Sequence, residues 1–301
     1  MNPFQNVISK LRLLPILLLL AISPTQAVET VTNGNATFNT NDNISSYLSG
    51  WSSGWGSGTN TGWNYVGSIT NGSASGTYLG NGWVLTAAHV GPLPLTSFTL
   101  DGNVYDSTGV SYSNFTNSLT GSTNADLNLF QISTISTTGS SLTLPDLTLT
   151  SNAPTSGKEI VMIGYGGASG FGSESWGTSS VFLTNQPFSV YSWNSVDFTT
   201  VNTNTNYSTV ILGDSGGGDF IKVGSTWELA GINEALVSYN STNPNTGTNY
   251  TGSAFVQLSA YDSQLAAIVN SVPEPDPESL VRLGMIFVLG FSLWKSRWRN
   301  S

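Results

Sequence analysis

Cysteine is absent from this 301-residue chain, histidine occurs once, and basic side chains are nearly confined to the two ends. Without cysteine there is no disulfide framework and no thiolate metal site. Lys10 and Arg12 lie near the start, and Arg282, Lys295, Arg297 and Arg299 near the end. Between Glu29 and Asp262 only Lys158 and Lys222 stand against fourteen acidic residues. A phosphate backbone needs a positive surface, so a nucleic-acid partner is excluded. Charged residues are only 8% of the chain, and Gly, Ser, Thr and Asn are abundant. The length exceeds one typical domain, so one large or two smaller domains are expected.

The basic ends read as addresses. Lys10 and Arg12, the apolar run "LLPILLLLAI" (13–22) and the small Ala27 follow the order of a secretory signal peptide over 1–27, with the mature start at Val28. At the other end, "VPEPDPESLVRLGMIFVLGFSLWKSRWRNS" runs from prolines through an apolar stretch to a basic cluster. Leu283–Trp294 would span about 18 Å as a single helix, short for a hydrocarbon core of about 30 Å. The basic end should stay cytoplasmic while the body is exported. This tail (273–301) resembles the PEP-CTERM sorting signal. The resemblance implies transient inner-membrane anchoring, processing by an exosortase-like enzyme near Pro273–Pro275, and a cell-surface or extracellular destination in a Gram-negative bacterium.

Residues 28–62 are polar and Gly-rich and end in "GWSSGWGSGTNTGW" (50–63). Trp and Gly without periodicity suggest an irregular coat packed by a few rings. Stacking on a sugar is the weaker alternative. From Trp63 the texture is short strands: "WNYVGSI", "GTYLG", "WVLTAA", "SFTL" and "LNLFQI", then "EIVMIGYG", "SSVFL", "GDFIKV", "TWELAGI" and "SAFVQL". Asn81-Gly82 predicts a tight hairpin. One helical pattern, "YDSQLAAIV" (261–269), comes late. Many short strands and one closing helix argue an all-β fold, barrel or sandwich.

The single histidine, His89, ends the strand in "WVLTAAHV" (83–90). Asp126 precedes "LNLFQI", and Ser215 sits in "LGDSGGGDF" (212–220). A nucleophilic serine needs glycine neighbours so that the backbone can bend and a carbonyl can approach. It also needs a base, for which imidazole is suited, and the imidazole needs a carboxylate to fix its tautomer. The N–H groups of Gly213 and Ser215 would serve a developing oxyanion.

The order His, Asp, Ser, with "TAAH" and "GDSGG" intact, resembles the chymotrypsin (trypsin-like) serine protease family from about Trp63 to Val269. The resemblance implies a double six-stranded antiparallel β-barrel. The first barrel (63–145) would carry His89 and Asp126. The second barrel and closing helix (146–272) would carry Ser215, with peptide bonds hydrolysed in the cleft between. It places the base of a substrate pocket near Thr209 and its walls near Asn233, Glu234, Leu236 and Ser253. Only Glu234 is charged there, so weak preference for uncharged side chains is expected. Val90 and Ile211 stand where many relatives have Cys. In activated relatives the counterpart of Asp214 pairs with a new N-terminal amine. No "IVGG"-like start precedes "WNYVGSI", so another donor is expected for Asp214. Glu234 falls near the position of a small Ser that supports the catalytic Asp, where a second carboxylate would raise a pKa.

The expected function is an exported serine endopeptidase acting on protein or peptide substrates through an acyl-enzyme, without metal or organic cofactor. Three alternatives stay open: an inactive trypsin-like scaffold serving as an extracellular binding or matrix protein, an esterase using the same triad, and a structural surface β protein.

Overall fold

Short runs of branched and aromatic residues, punctuated by Gly, Asn and Asp, fold into fifteen strands among the described residues. The computed structural model describes residues 28–271 apart from 33–34, 56–58, 70–73, 92–94, 122–123, 167–171, 204–206 and 243–248. The expected signal peptide and the sorting tail with its apolar segment lie outside the described residues. Among the described residues no helix is long and apolar enough to cross a membrane. The chain divides into two units, Met1–Val269 and Asn270–Ser301, and every described element belongs to the first.

Residues 28–62 are not simply an irregular coat. They open with β1 (Glu29–Thr32) and β2 (Asn35–Phe38), an antiparallel pair. Six strands then close a barrel: β3 (Val66–Ile69), β4 (Ala74–Gly80), β5 (Trp83–Thr86), β6 (Ser97–Leu100), β7 (Asn103–Tyr112) and β8 (Asn128–Ile132), in the order β3-β4-β5-β8-β7-β6. A second closed barrel uses β9 (Glu159–Gly164), β10 (Ser175–Val190) and β11 (Trp193–Thr200). After β12 (Tyr207–Thr209), it is completed by β13 (Gly218–Val223), β14 (Thr226–Thr242) and β15 (Asn249–Gln257). Its order is β10-β11-β15-β14-β13-β9. A short helix, α1 (Asp262–Val269), follows and buries Leu265 and Val269.

The local signals explain much of this. Asn81 and Gly82 both take positive φ, 51° and 80°, as a two-residue type I′ hairpin between β4 and β5 requires. "WNYVGSI" is strand only from Val66, because Gly62–Tyr65 form a 3-10 turn under a Thr61/Asn64 capping box. β7 and β11 are not anticipated from the pattern, since "NVYDSTGVSY" and "WNSVDFTT" mix polar residues into their runs.

β1 pairs with β12, Glu29 opposite Thr209, which sews the N-terminal segment onto the second half. Trp51 is fully buried, edge-on to Trp227 at 4.7 Å between ring centroids, and Trp55 stacks on Trp227 at 5.8 Å. The Trp227 Nε1–H donates to the Gly50 carbonyl at 2.9 Å. These rings pack against one another in the interior and are not laid out as a sugar-stacking face. Each fully buried ring of this kind stabilises by about 1.5–3 kcal/mol.

Candidate active site

The pairing of β5 with β8 sets Thr86 opposite Asn128. The end of β5 therefore lies beside the start of β8. His89, on the 3-10 turn Ala88–Val90, meets Asp126 two residues before β8. The His89 backbone N–H donates to Asp126 Oδ1 at 2.7 Å, and Nδ1 lies 2.5 Å from Oδ2. Asp126 is fully buried and the imidazole 14% exposed. A carboxylate only accepts, so Nδ1 carries the proton and the lone pair of Nε2 faces outward. Ser215 Oγ stands 2.8 Å from that Nε2. The three residues singled out from the sequence thus meet in one chain of hydrogen bonds.

Ser215 belongs to a loop built for tight approach. The Asp214 N–H donates to the Ile211 carbonyl at 3.1 Å, and Gly213 has φ +93°, which makes residues 211–214 a type II turn with glycine where φ must be positive. Among the described residues no acceptor engages the N–H of Gly213 or Ser215, so both are free to serve an oxyanion. β4 of the first barrel holds this loop from below. Ser75 donates its N–H to the Ser215 carbonyl at 2.9 Å and its hydroxyl to the Gly213 carbonyl at 3.0 Å. Ser75 Oγ also accepts the Tyr165 N–H at 2.8 Å. A Cβ on Gly216, φ +87°, would sit 2.2 Å from Thr86 Oγ1 and 2.3 Å from the Ser75 carbonyl oxygen.

Asp214, wholly buried, finds its donors internally. Ile211 N–H donates to Oδ2 at 2.7 Å and Gly166 N–H to Oδ1 at 2.9 Å. The third donor is the backbone nitrogen of Val28, 3.0 Å from Oδ2. The partner comes from the start of the N-terminal segment, not from the residues just before β3. Burial pushes Asp214 up to about 7, against the pull of these three N–H groups. A Cβ at Gly164 or Gly166 would meet Asp214 Oδ1 at 2.3 or 2.8 Å, so glycine is what lets the carboxylate fit.

The residues expected around a substrate pocket divide. Thr209 Oγ1 and Ser253 Oγ touch at 3.0 Å, and Ser253 Oγ accepts the Val210 N–H at 3.1 Å. Leu236 is 48% exposed on β14. Asn233 is buried and structural: its side-chain amide donates to the Ile163 carbonyl at 3.0 Å and its backbone carbonyl accepts the Gly216 N–H at 2.9 Å. Glu234 is no pocket wall. Its buried side chain lies against Asp197 and Asp126, and Oε1 accepts the Ser195 hydroxyl at 3.4 Å. Ser195 in turn accepts the Asp126 N–H at 2.9 Å.

Sequence reading passes over Ser75, Ser195 and Asp197, because each is one polar residue among many in a Ser- and Thr-rich chain. It also passes over Tyr191. That residue sits at the tip of the β10–β11 hairpin with φ +51°, 72% exposed, its ring 6.1 Å from the His89 ring. The tip reaches the first barrel, where Asn194 N–H donates to the Asn124 carbonyl at 2.9 Å. A strained, exposed aromatic beside the triad was the available signal, and it is a tertiary one.

Comparison with known proteins places this geometry. Among solved structures, the Rv3671c protease of M. tuberculosis matches in its inactive form at 14% identity, covering 69% of this chain and 90% of that chain, TM-score 0.45. Its active form matches at 16% identity, covering 70% and 82%, TM-score 0.44. Kallikrein-related peptidase 10, in a complex with Zn2+, matches at 18% identity, covering 70% and 97%, TM-score 0.47. At such scores the likeness supports nothing about activity. No match was found among curated proteins. The trypsin family model matches residues 54–258, a stretch that is more than half of the chain and holds His89, Asp126 and Ser215, and the protein belongs to the trypsin family of proteases.

Proposed function

We propose that the protein is an exported serine endopeptidase in which Ser215 is the nucleophile, His89 the base and Asp126 the group that orients and charges-balances His89. The observation that carries this reading is His89, bonded through Nδ1 to a buried carboxylate and through Nε2 to Ser215 Oγ. As Oγ attacks the peptide carbonyl carbon, its proton passes to Nε2, and the carbonyl oxygen becomes an oxyanion beside the Gly213 and Ser215 N–H groups. His89 then returns the proton to the leaving amine as the C–N bond breaks. Water, deprotonated by His89, hydrolyses the acyl-enzyme and restores the serine. The chemistry needs neither metal nor organic cofactor. Thr209 and Ser253 would give the pocket an uncharged base, consistent with a preference for uncharged side chains.

Export fits the same geometry. A leader removed after Ala27 would turn the Val28 nitrogen into an ammonium next to Asp214, a buried carboxylate that has only neutral N–H donors in the uncut chain. The C-terminal tail would anchor the protein at the inner membrane until an exosortase-like enzyme acts.

A fluorophosphonate probe tests the reading. The purified protein should be labelled at Ser215, and Ser215→Ala and His89→Ala should each abolish labelling and lower kcat by about 10⁴–10⁶. A folded wild type that takes no label would leave the inactive scaffold.

A further inference from the structure

Behind the triad lie two acidic side chains that the reaction does not use. Asp197 is on β11 and Glu234 on β14, both in the second barrel, and both carboxyls are buried against Asp126 of the first. Among the described residues no N–H or O–H reaches either Asp197 oxygen or Glu234 Oε2. The only ion pair among the described residues is His89–Asp126, so no cation balances the pair. Three ionised carboxylates packed together, with no cation beside Asp197 and Glu234 and no N–H or O–H on three of their four oxygens, would be prohibitively costly.

We propose that Asp197 and Glu234 form a positioning pair for the triad: they hold protons between them, and so hand Asp126 a hydrogen-bond donor rather than a rival negative charge. Ser195 completes the arrangement, linking the Asp126 backbone to Glu234 Oε1. The other groups facing the pair are the Tyr261 hydroxyl, which accepts the Val196 N–H at 3.0 Å, and His89 on the far side of Asp126. Burial pushes both acids above the usual carboxylate range; Asp197 and Asp126 raise Glu234 further, whereas the hydrogen bond with Glu234 pulls Asp197 part of the way back and Asp126 raises it. Asp126, already taken up by two donors from His89, is thereby held from a third side. Stripping the pair of its proton at alkaline pH puts a second negative charge beside Asp126 and removes that donor, which loosens its hold on His89.

The proposal rests on the serine-protease reading, and the experiment separates the two. The full chain, purified after expression with its own leader, is assayed for kcat and KM on an activated peptide ester from pH 5 to 10. Asp197→Asn and Glu234→Gln are compared with wild type. Each variant keeps the shape and an N–H donor and removes one of the two titrating groups. The expected result is an acid limb common to all three and an alkaline fall in wild-type kcat that moves up by more than one pH unit in the variants, with KM changed less than about threefold. A second measurement follows, between pH 7 and 10, the part of the wild-type infrared C=O stretch of protonated carboxyl that is missing in Asp197→Asn and Glu234→Gln, which sets aside Glu174 and Asp214. It should fade over the same range in which kcat falls. An unchanged alkaline limb in folded variants, or a wild-type carboxyl band that does not fade with kcat, overturns the proposal. Failure of Ser215 to take a fluorophosphonate would instead overturn the protease reading.

Discussion

At the scale of single residues, function depends on which protons are held where. Asp126→Asn would leave the fold intact but offer His89 a donor as well as an acceptor, favouring the wrong tautomer. A fall in kcat of about 10⁴ is expected, with KM little changed, measured on the same ester. Glu174 makes a prediction about stability. The Tyr165 hydroxyl donates to its Oε2 at 2.9 Å, Oε1 is buried without a partner, and burial pushes the group up to about 9, with Asp42 and Asp101 adding to the rise. The folded state therefore binds more protons than the unfolded state between about 4.5 and about 9. Its contribution to stability is complete at the acid end of that window and is lost as pH rises through it. Glu174→Gln should flatten the decline of the thermal midpoint from pH 5 to 9, on the order of 2 kcal/mol across the window. A variant that declines as steeply as wild type would count against a protonated Glu174. Residue types told the sequence reader what chemistry was possible. They did not tell which of fourteen body acids were buried, because "VDF" and "NEA" look like ordinary turn or surface residues until two barrels close over them.

At the scale of elements, the nucleophile loop shows how a strand of one barrel shapes a turn of the other. "GDSGG" is legible because glycines are needed for a sharp bend, and the structure adds why each stands where it does. Gly213 supplies the positive φ of a type II turn, and Gly216 supplies both positive φ and the clearance under which β4 and β5 pass. Gly216→Ala should lower folding stability by about 2 kcal/mol or more, and the labelling rate with it. Thermal unfolding of the variant beside wild type checks this, and an unchanged midpoint would mean that the loop relaxes without cost. Hairpins and apolar strands were legible from "NG" and from branched runs. β7 and β11 were not, since polar residues interrupt their runs, although each pairs with the strand just before it across a two-residue turn, Asp101-Gly102 or Tyr191-Ser192, as well as with β8 or β15. The β1–β2 pair escaped notice for a different reason: its partner, β12, lies nearly 180 residues away.

At the scale of the whole molecule, the two barrels and the N-terminal segment meet around one carboxylate. Asp214 collects N–H groups from Val28, Gly166 and Ile211, so the start of the described chain is tied to the loop that bears Ser215. A protein beginning at Val28 should be more stable, by about 2 kcal/mol, than one retaining residues ahead of it. The extended form should also label more slowly with fluorophosphonate. Equal midpoints and equal labelling of the two forms would exclude a role for a Val28 ammonium. What the sequence determined by itself was the set of local choices: turn glycines, the Asn-Gly hairpin, the short strands, the closing helix, and the His, Asp and Ser whose types and order suit acyl transfer. These are legible because each depends on a few neighbouring residues. The tertiary structure decided which nitrogen faces Asp214, which of the two places expected for Glu234 it takes, beside Asp126 and not along a pocket, and that Asp197 joins it. Those outcomes depend on burial and on contacts between strands far apart in the chain, and burial is what turns an ordinary carboxylate into a proton carrier.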